Sequence, residues 1–387
     1  MRYTSLWYKR ANINWKIDTH MASARKKKVS HKVRQLRLTK TTYWIFDIAK
    51  REKDFIVILA VLLLAGVLVA PYPRVAMWFG FALASYSTIA NDSIQTIGTF
   101  IATNSHRSWW KLWLFMGIIF VATITYSWVI YDGDVSYQRL AQKGFSEAPK
   151  SFNALQLFAP IALLVLTRMH IPVSTTFLLL NTFATEPQAI FSVLQKSFYG
   201  YFIAFFSAII IWCLIAYVTD RYFRGRASSI WIPIQWAVSG LLWSIWLVQD
   251  ASNIAVFLPR SLDLIELCLF MGLIIAGLGL LFYLKGDRMQ HLINEKVGLT
   301  DIRAATLVDF VYMFILFYFK NLSNIPMSTT WVFIGLLGGR ELAISLAKDK
   351  PKRREKAIKK SWKFIRKDFR HALIGLVVSM VLAIIVN

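Results

Sequence analysis

Two polar motifs each occur twice in this 387-residue chain, and both are made of residues that bind ions. Asn91-Asp92-Ser93-Ile94-Gln95 and Gln249-Asp250-Ala251-Ser252-Asn253 each set a carboxylate and two amides within about one helical turn. Ser174-Thr175-Thr176 and Ser328-Thr329-Thr330 each follow a proline by two residues, Pro172 and Pro326. Asp92 and Asp250 are 158 residues apart, and Ser174 and Ser328 are 154 apart, so both motifs shift by nearly one period. An internal duplication accounts for this. The surroundings are apolar, and a carboxylate at bilayer depth costs about 2.5–3.5 kcal/mol or more, so the duplicated Asp predict a binding site or pathway.

The two motifs have complementary chemistry. Proline is accepted in the first turn of a helix, so each Ser-Thr-Thr is expected to open one. Unpaired N–H groups and the positive end of the helix dipole attract anions there, phosphate in particular. A single copy would read as ordinary serine N-capping; two copies inside apolar segments favour a site. Ser174, Thr175, Thr176, Ser328, Thr329 and Thr330, with the amides of Asn91 and Gln249, are the candidate substrate ligands. Asp92, Gln95, Asp250 and Asn253 are the candidate ion ligands, because carboxylate and amide oxygens suit Na⁺ in a broken transmembrane helix. Two alternatives remain open for these residues: an interhelical hydrogen-bond network, or an Asp that carries a proton.

The elements that must position these groups are membrane helices. The composition is 56% hydrophobic with a mean hydropathy of +0.48, and apolar runs such as Phe55–Ala70, Ala204–Val218 and Leu267–Leu284 approach the ~20 residues that span a bilayer. The net charge of +24 is concentrated: residues 1–54 carry 15 Lys/Arg against 4 Asp/Glu, and residues 346–370 carry 12 against 3. Basic flanks mark the cytoplasmic side and attract anionic lipid head groups. Arg25-Lys26-Lys27-Lys28 could neutralise nucleic-acid phosphates, but the same flanking position favours the topological reading, and no nucleic-acid partner is expected.

With the basic lead inside, the charge map predicts an all-α polytopic membrane protein of about 11 transmembrane segments. A basic cytoplasmic segment (1–54) and a leading helix (55–74) precede a first repeat (75–220) and a second (229–386), which holds a basic cytoplasmic loop at 346–370. Each repeat has five segments, an odd number, so the two lie in inverted topology. The Ser-Thr-Thr segments are expected to be simple spans, broken helices or re-entrant hairpins. Glu186 and Glu341, 12 and 13 residues after their respective serines, form a candidate repeat-related pair, with Lys196 and Arg340 as partners or snorkelling groups. No cleavable secretory signal precedes Phe55, and Met21 is an alternative start.

Several functions are disfavoured. Cys213 and Cys268 both lie in apolar stretches and support neither a disulfide framework nor a thiol metal site. No His falls inside a duplicated motif, and His170 merely adjoins one, so no hydrolytic triad is drawn and no enzyme is expected. No Gly-rich Walker loop accompanies the Ser-Thr-Thr sites, so the energy source is an ion gradient rather than ATP.

At these residues the chain resembles the inorganic phosphate transporter (PiT) family, whose repeated signatures are Gly-Ala-Asn-Asp-x-x-Asn and Pro-Val-Ser-Thr-Thr-His. The resemblance covers roughly residues 75–386, and Pro172-Val173-Ser174-Thr175-Thr176 matches in full. It implies an ion-coupled phosphate symporter of inverted repeats in the plasma membrane, with Asn91, Asp92, Ser174, Thr175, Thr176, Asp250, Asn253, Ser328, Thr329 and Thr330 lining a central site for Na⁺ and phosphate. Na⁺ or H⁺ would be the coupling ion, with no other metal or cofactor; self-association is left open. The departures are Ile89 and Leu247 for Gly, Gln249 and Gln95 for Asn, and Phe177 and Trp331 for His. They leave sulfate or another oxyanion as an alternative cargo, and a non-transporting anion sensor as an alternative function.

Overall fold

The computed structural model describes residues 52–169, 171, 173–183, 187–222, 227–284, 301–318, 328–347 and 351–386. Met21, His170, Pro172, Glu186 and Pro326, and nearly all of the basic lead, fall outside these residues. The chain divides into two compact units, Met1–Val61 and Leu62–Asn387. The described part of the first is residues 52–61, where helix α1 (Lys53–Val69) begins.

Among the described residues all regular structure is helical. Four helices are long and apolar enough to cross a membrane: α4 (Trp109–Ile130), α9 (Trp231–Ala255), α10 (Leu264–Tyr283) and α13 (Pro351–Val386). Large apolar side chains on them face outward, including Ile118, Val129, Leu241, Ile265 and Ile384. Contiguous apolar exposure of that kind has its natural solvent in lipid rather than water.

The helix carrying the first Asp motif begins with Pro73 in its first turn and runs as α2 (Pro73–Thr88). It passes through a π-helical turn at Ile89–Ser93, then continues as α3 (Ile94–Thr103). The helix carrying the second motif, α9, is continuous. The two run antiparallel. At one end Asn104 Nδ2 donates to Gln235 Oε1 at 3.1 Å, and at the other Thr175 links Asp92 to Asn253. Helix α4 runs antiparallel to α10, with Trp109 against Tyr283 at one end and Trp128 Nε1 donating to Leu262 O at 2.8 Å at the other.

The first Ser-Thr-Thr lies in a hairpin rather than a span. Helix α6 (Ala154–Arg168) starts at a capping box, Asn153 with Gln156, and leads down to the triplet. The chain then turns back through α7 (Thr175–Leu178) and a 3₁₀ turn (Leu180–Phe183). Gln156 Nε2 donates to Thr182 O at 3.2 Å and the Phe152 and Phe183 rings meet, so the returning arm reaches the level where α6 began. Nine residues of helix and 3₁₀ turn cover roughly 14–18 Å, too little for a ~30 Å core. Helix α8 (Pro187–Tyr222) follows as one 36-residue helix. The second triplet opens a continuous helix, α12 (Thr329–Leu346), preceded by α11 (Ile302–Leu316).

The strongly basic stretch expected as a loop at 346–370 is instead helical from Pro351 onward, as the first half of α13. Pro351 stands at the first helical position, and Lys, Arg and Glu are good helix formers. Glu355 and Lys359 add an i,i+4 pair at 2.7 Å. Arg340 pairs with its neighbour Glu341 at 3.2 Å and lies over the Trp212 ring.

Helices α8 and α12 approach backbone to backbone at Gly335 and Gly339, four residues apart on α12. A Cβ on Gly335 would lie 2.5 Å from the Tyr201 carbonyl oxygen, and one on Gly339 would overlap that of Phe205. Small residues at this spacing let membrane helices close in. Gly339→Ala is expected to destabilise the protein by about 1–3 kcal/mol through overpacking. Gly272→Ala, where a Cβ meets nothing within 4 Å, should leave stability unchanged or slightly raised. Thermal unfolding in detergent measures both, and equal behaviour of the two variants would contradict the close approach.

Candidate functional site

Burying Asp92 in an apolar helix bundle requires donors, and the structure collects them from three separate segments. Asn91 Nδ2 donates to Asp92 Oδ1 at 2.5 Å and to the Val173 carbonyl at 2.6 Å. Thr175 Oγ1 donates to Asp92 Oδ2 at 2.7 Å. Thr330 Oγ1 lies 3.4 Å from Asp92 Oδ1 and 3.2 Å from Val173 O, so its one proton is divided between them. One carboxylate thus ties the first Asp motif to both Ser-Thr-Thr triplets.

The second Asp motif joins through the same hydroxyl. Asn253 Nδ2 donates to Asp250 Oδ1 at 2.8 Å and lies 3.1 Å from both Thr175 Oγ1 and Thr176 Oγ1. Thr175 therefore accepts from one motif and donates to the other. A hydroxyl is suited to this, having one donor and two lone pairs.

Each triplet's serine acts as an N-cap, accepting from Phe177 N at 3.5 Å and from Trp331 N at 3.4 Å. The two helix starts differ. Ser328 opens the 18-residue α12, with a full dipole behind it, whereas Ser174 opens a single turn and contributes mainly hydroxyls. Asp250 and Asn253 sit in the last two turns of α9, whose C-terminal end favours cations. Neither Asp motif lies on an unwound segment: the first occupies the π turn, the second regular α-helix.

The remaining candidates lie nearby. Gln95 Nε2 donates to Asn91 O at 3.2 Å, and Gln249 is buried immediately before Asp250. Thr329 is buried, and its carbonyl accepts from Tyr312 at 3.1 Å. All of these side chains are at most 4% exposed except Thr176, which is half-buried. Several oxygens in and beside the network have no hydrogen-bond partner among the described residues: Asn91 Oδ1, Asp250 Oδ2, Thr88 Oγ1 and Ser93 Oγ. Buried unpaired oxygens around two carboxylates are the donor set a monovalent cation takes.

Sequence reasoning missed three groups at or near this site. Lys143, in the segment after α5 (Arg139–Gln142), donates to Ser252 Oγ at 2.9 Å and to Asn253 Oδ1 at 3.0 Å. Arg139 lies close enough to interact with Asp250: burial pulls the guanidinium below its ordinary pKa and the carboxylate pushes it back up. Tyr312 reaches the second triplet's backbone. The loop carrying Lys143 and Arg139 has equal acid and base counts, which concealed that two of its cations turn inward. It is held by Arg260, which donates to the Phe145 and Glu147 carbonyls at 2.8 Å each.

Removing the Thr175 hydroxyl leaves Asp92 short of a donor, while Asn253 keeps Asp250 and Thr176 as acceptors. Thr175→Val, which keeps the shape, is expected to cost about 2 kcal/mol of stability, and Thr175→Ser to recover most of it. Unfolding midpoints in detergent test this; a valine variant as stable as the parent would show that the bridge carries no weight.

No family model matches the chain, and no curated protein matches it. Among solved structures, one titled "The sodium-dependent phosphate transporter" is similar over 84% of this chain and 100% of that chain, with 16% sequence identity and a TM-score of 0.48.

Proposed function

We propose that this chain is a secondary active symporter that carries inorganic phosphate with Na⁺ or H⁺ by alternating access. The observation that carries the reading is the convergence of both Asp motifs and both Ser-Thr-Thr triplets on one network, through the Thr175 hydroxyl and the Asp92 carboxylate. The N-terminus of α12 and the Thr175, Thr176 and Thr330 hydroxyls offer donors to an oxyanion. Asp92, Asp250 and the amide oxygens of Asn91, Asn253 and Gln95 offer ligands to the coupling cation. Anion and cation in one buried site neutralise each other, so each is bound better with the other present. That mutual dependence is the thermodynamic content of symport.

In this reading residues 75–220 and 229–386 are two transport repeats of opposite orientation, supported by the antiparallel course of α2–α3 and α9. The first Ser-Thr-Thr arm is re-entrant, and the two triplets meet between the repeats at Asp92. The protein lies in the plasma membrane with its basic N-terminal segment in the cytoplasm. Lys143 and Arg139, reaching in from the α4–α6 connection, add positive charge where an anion would enter. Among the described residues the network consists of hydroxyls, amides and carboxylates, which suits binding and translocation.

Uptake of radiolabelled phosphate into proteoliposomes tests the proposal, with choline replacing Na⁺ and sulfate added as competitor. Asp92→Asn and Asp250→Asn are each expected to lower uptake at least tenfold, from losing a charged ligand worth about 1.5–3 kcal/mol. Uptake unaffected by either variant would defeat the assignment. Stronger inhibition by sulfate than by unlabelled phosphate would give the cargo to sulfate, and saturable binding without flux would make the chain a sensor. Lys143→Gln is expected to raise the half-saturating phosphate concentration about tenfold while leaving maximal uptake intact.

A further inference from the structure

We propose that Asp309 is a proton-binding site, separate from the duplicated motifs and built by three helices between the Asp92 network and the Arg107 end of the bundle. The proposal does not depend on phosphate being the cargo. Asp309 lies midway along α11 and is 2% exposed. One carboxylate oxygen accepts from Thr99 Oγ1 of α3, and the other accepts from Ser239 Oγ of α9 at 2.6 Å. Helix α11 thus meets both motif-bearing helices at a carboxylate that belongs to neither motif.

No ion pair to Asp309 is present among the described residues. Helix α3 carries no titratable side chain, and α9 carries only Asp250, three turns further along. On α12 the charged groups are Arg340 and Glu341, which pair with each other; on α11 itself Arg303 pairs with Asp301, and the Tyr312 hydroxyl is directed to Thr329 O. Helix α8, which also packs on α11, brings Lys196, Asp220 and Arg221, with Cys213 and the tyrosines 199, 201, 217 and 222. A carboxylate among apolar helices without a cation is most cheaply kept by taking up a proton.

The cluster is built for that exchange. Both hydroxyls can donate to the ionised form, and either can rotate to accept from the acid, so neither protonation state requires the backbone to move. The cluster offers four oxygens from three residues, fewer than the six or more that hard cations gather. A hydrogen-bonded route leads from it to the end of the bundle. Thr103 Oγ1 donates to Thr99 O at 2.9 Å, Gln235 Nε2 to Thr103 Oγ1 at 2.5 Å, and Asn104 Nδ2 to Gln235 Oε1 at 3.1 Å. Trp236 Nε1 donates to Asn104 Oδ1 at 3.2 Å, and Arg107 lies over the Trp236 ring. In the other direction Asn91, Gln95, Thr99 and Thr103 form one polar stripe at four-residue spacing, joining the cluster to the central site.

The full chain reconstituted in lipid, titrated between about pH 4 and 9 by difference infrared spectroscopy, tests this without any cargo. A carboxylic-acid carbonyl band that appears on acidification and is absent in Asp309→Asn is expected. Ser239→Ala removes a donor to the ionised form and should move that band's midpoint upward by about one to two pH units. If Asp309→Asn fails to fold, the Ser239→Ala shift decides the matter. A titration unchanged in both variants, or no titrating band, overturns the proposal. In the uptake assay, Asp309→Asn should keep its Na⁺ dependence and flatten the pH profile; an unchanged profile would leave Asp309 a structural hydrogen-bond acceptor only.

Discussion

A carboxylate buried among apolar helices must find its hydrogen-bond donors inside the protein, and the arrangement of this bundle follows from how Asp92 does so. Its own helix supplies only Asn91. The other donors come from Thr175 and Thr330, 83 and 238 residues away in sequence. Each sits in the first turn of a helical segment, Thr175 in a single turn and Thr330 in an 18-residue helix. Hydrogen bonds to a charged group contribute about 1.5–3 kcal/mol each, comparable to the cost of placing the charge at depth. The hairpin at α6–α7 and the start of α12 are therefore fixed in place by the carboxylate they serve.

The same constraint explains why the two halves of the duplication have different local structure. In the first, Ile89–Ser93 forms a π turn, which rotates Asn91 and Asp92 relative to a regular helix, and the following triplet opens a single turn. In the second, Asp250 and Asn253 lie near the end of an unbroken α-helix, and the triplet opens a long one. Only the first carboxylate contacts both triplets; the second keeps one oxygen unpaired and has Lys143 and Arg139 in its vicinity. Two copies of one motif have thus divided between them a tightly bonded role and an open one. In the proposed symport, substrate and ion need not then compete for equivalent ligands.

The presence of long apolar helices was legible because apolar runs punctuated by charge and proline report burial in a solvent without hydrogen bonds. The convergence of the motifs was legible as well, since repetition marks groups that packing alone would not retain. What escaped the sequence was the backbone between the landmarks. Nothing in Ile89–Ser93 distinguishes a π turn from an α turn by composition. The basic stretch before His371 reads as a loop by charge, although the same Lys and Arg are good helix formers and continue α13. Asp309 was visible as a lone acid in the apolar run Ala305–Phe317, but it has no counterpart in the other half. Lys143 was hidden because the length of a loop does not reveal which of its side chains turn inward.

The aromatic residues that follow the two triplets close the packing on that side of the network. Phe177 and Trp331 are 1% and 2% exposed and belong to one cluster with Tyr201, Ile334 and Leu376, packed against Phe198 and Phe369. Their backbone N–H groups donate to the capping serines of the triplets, while the Trp331 ring lies against α8 and α13. An imidazole at these positions would offer a donor, an acceptor and a titrating charge; two large rings offer shape. Beside the triplets the neutral donors are then hydroxyls, amides and helix N–H groups, and the cations nearby are Lys143 and Arg139 from the α4–α6 connection. The rings also join the start of α12 mechanically to the lower part of α13, where Phe369 ends the basic stretch. Trp331 thereby packs the first turn of α12 directly against α13, beside the triplet's capping serine.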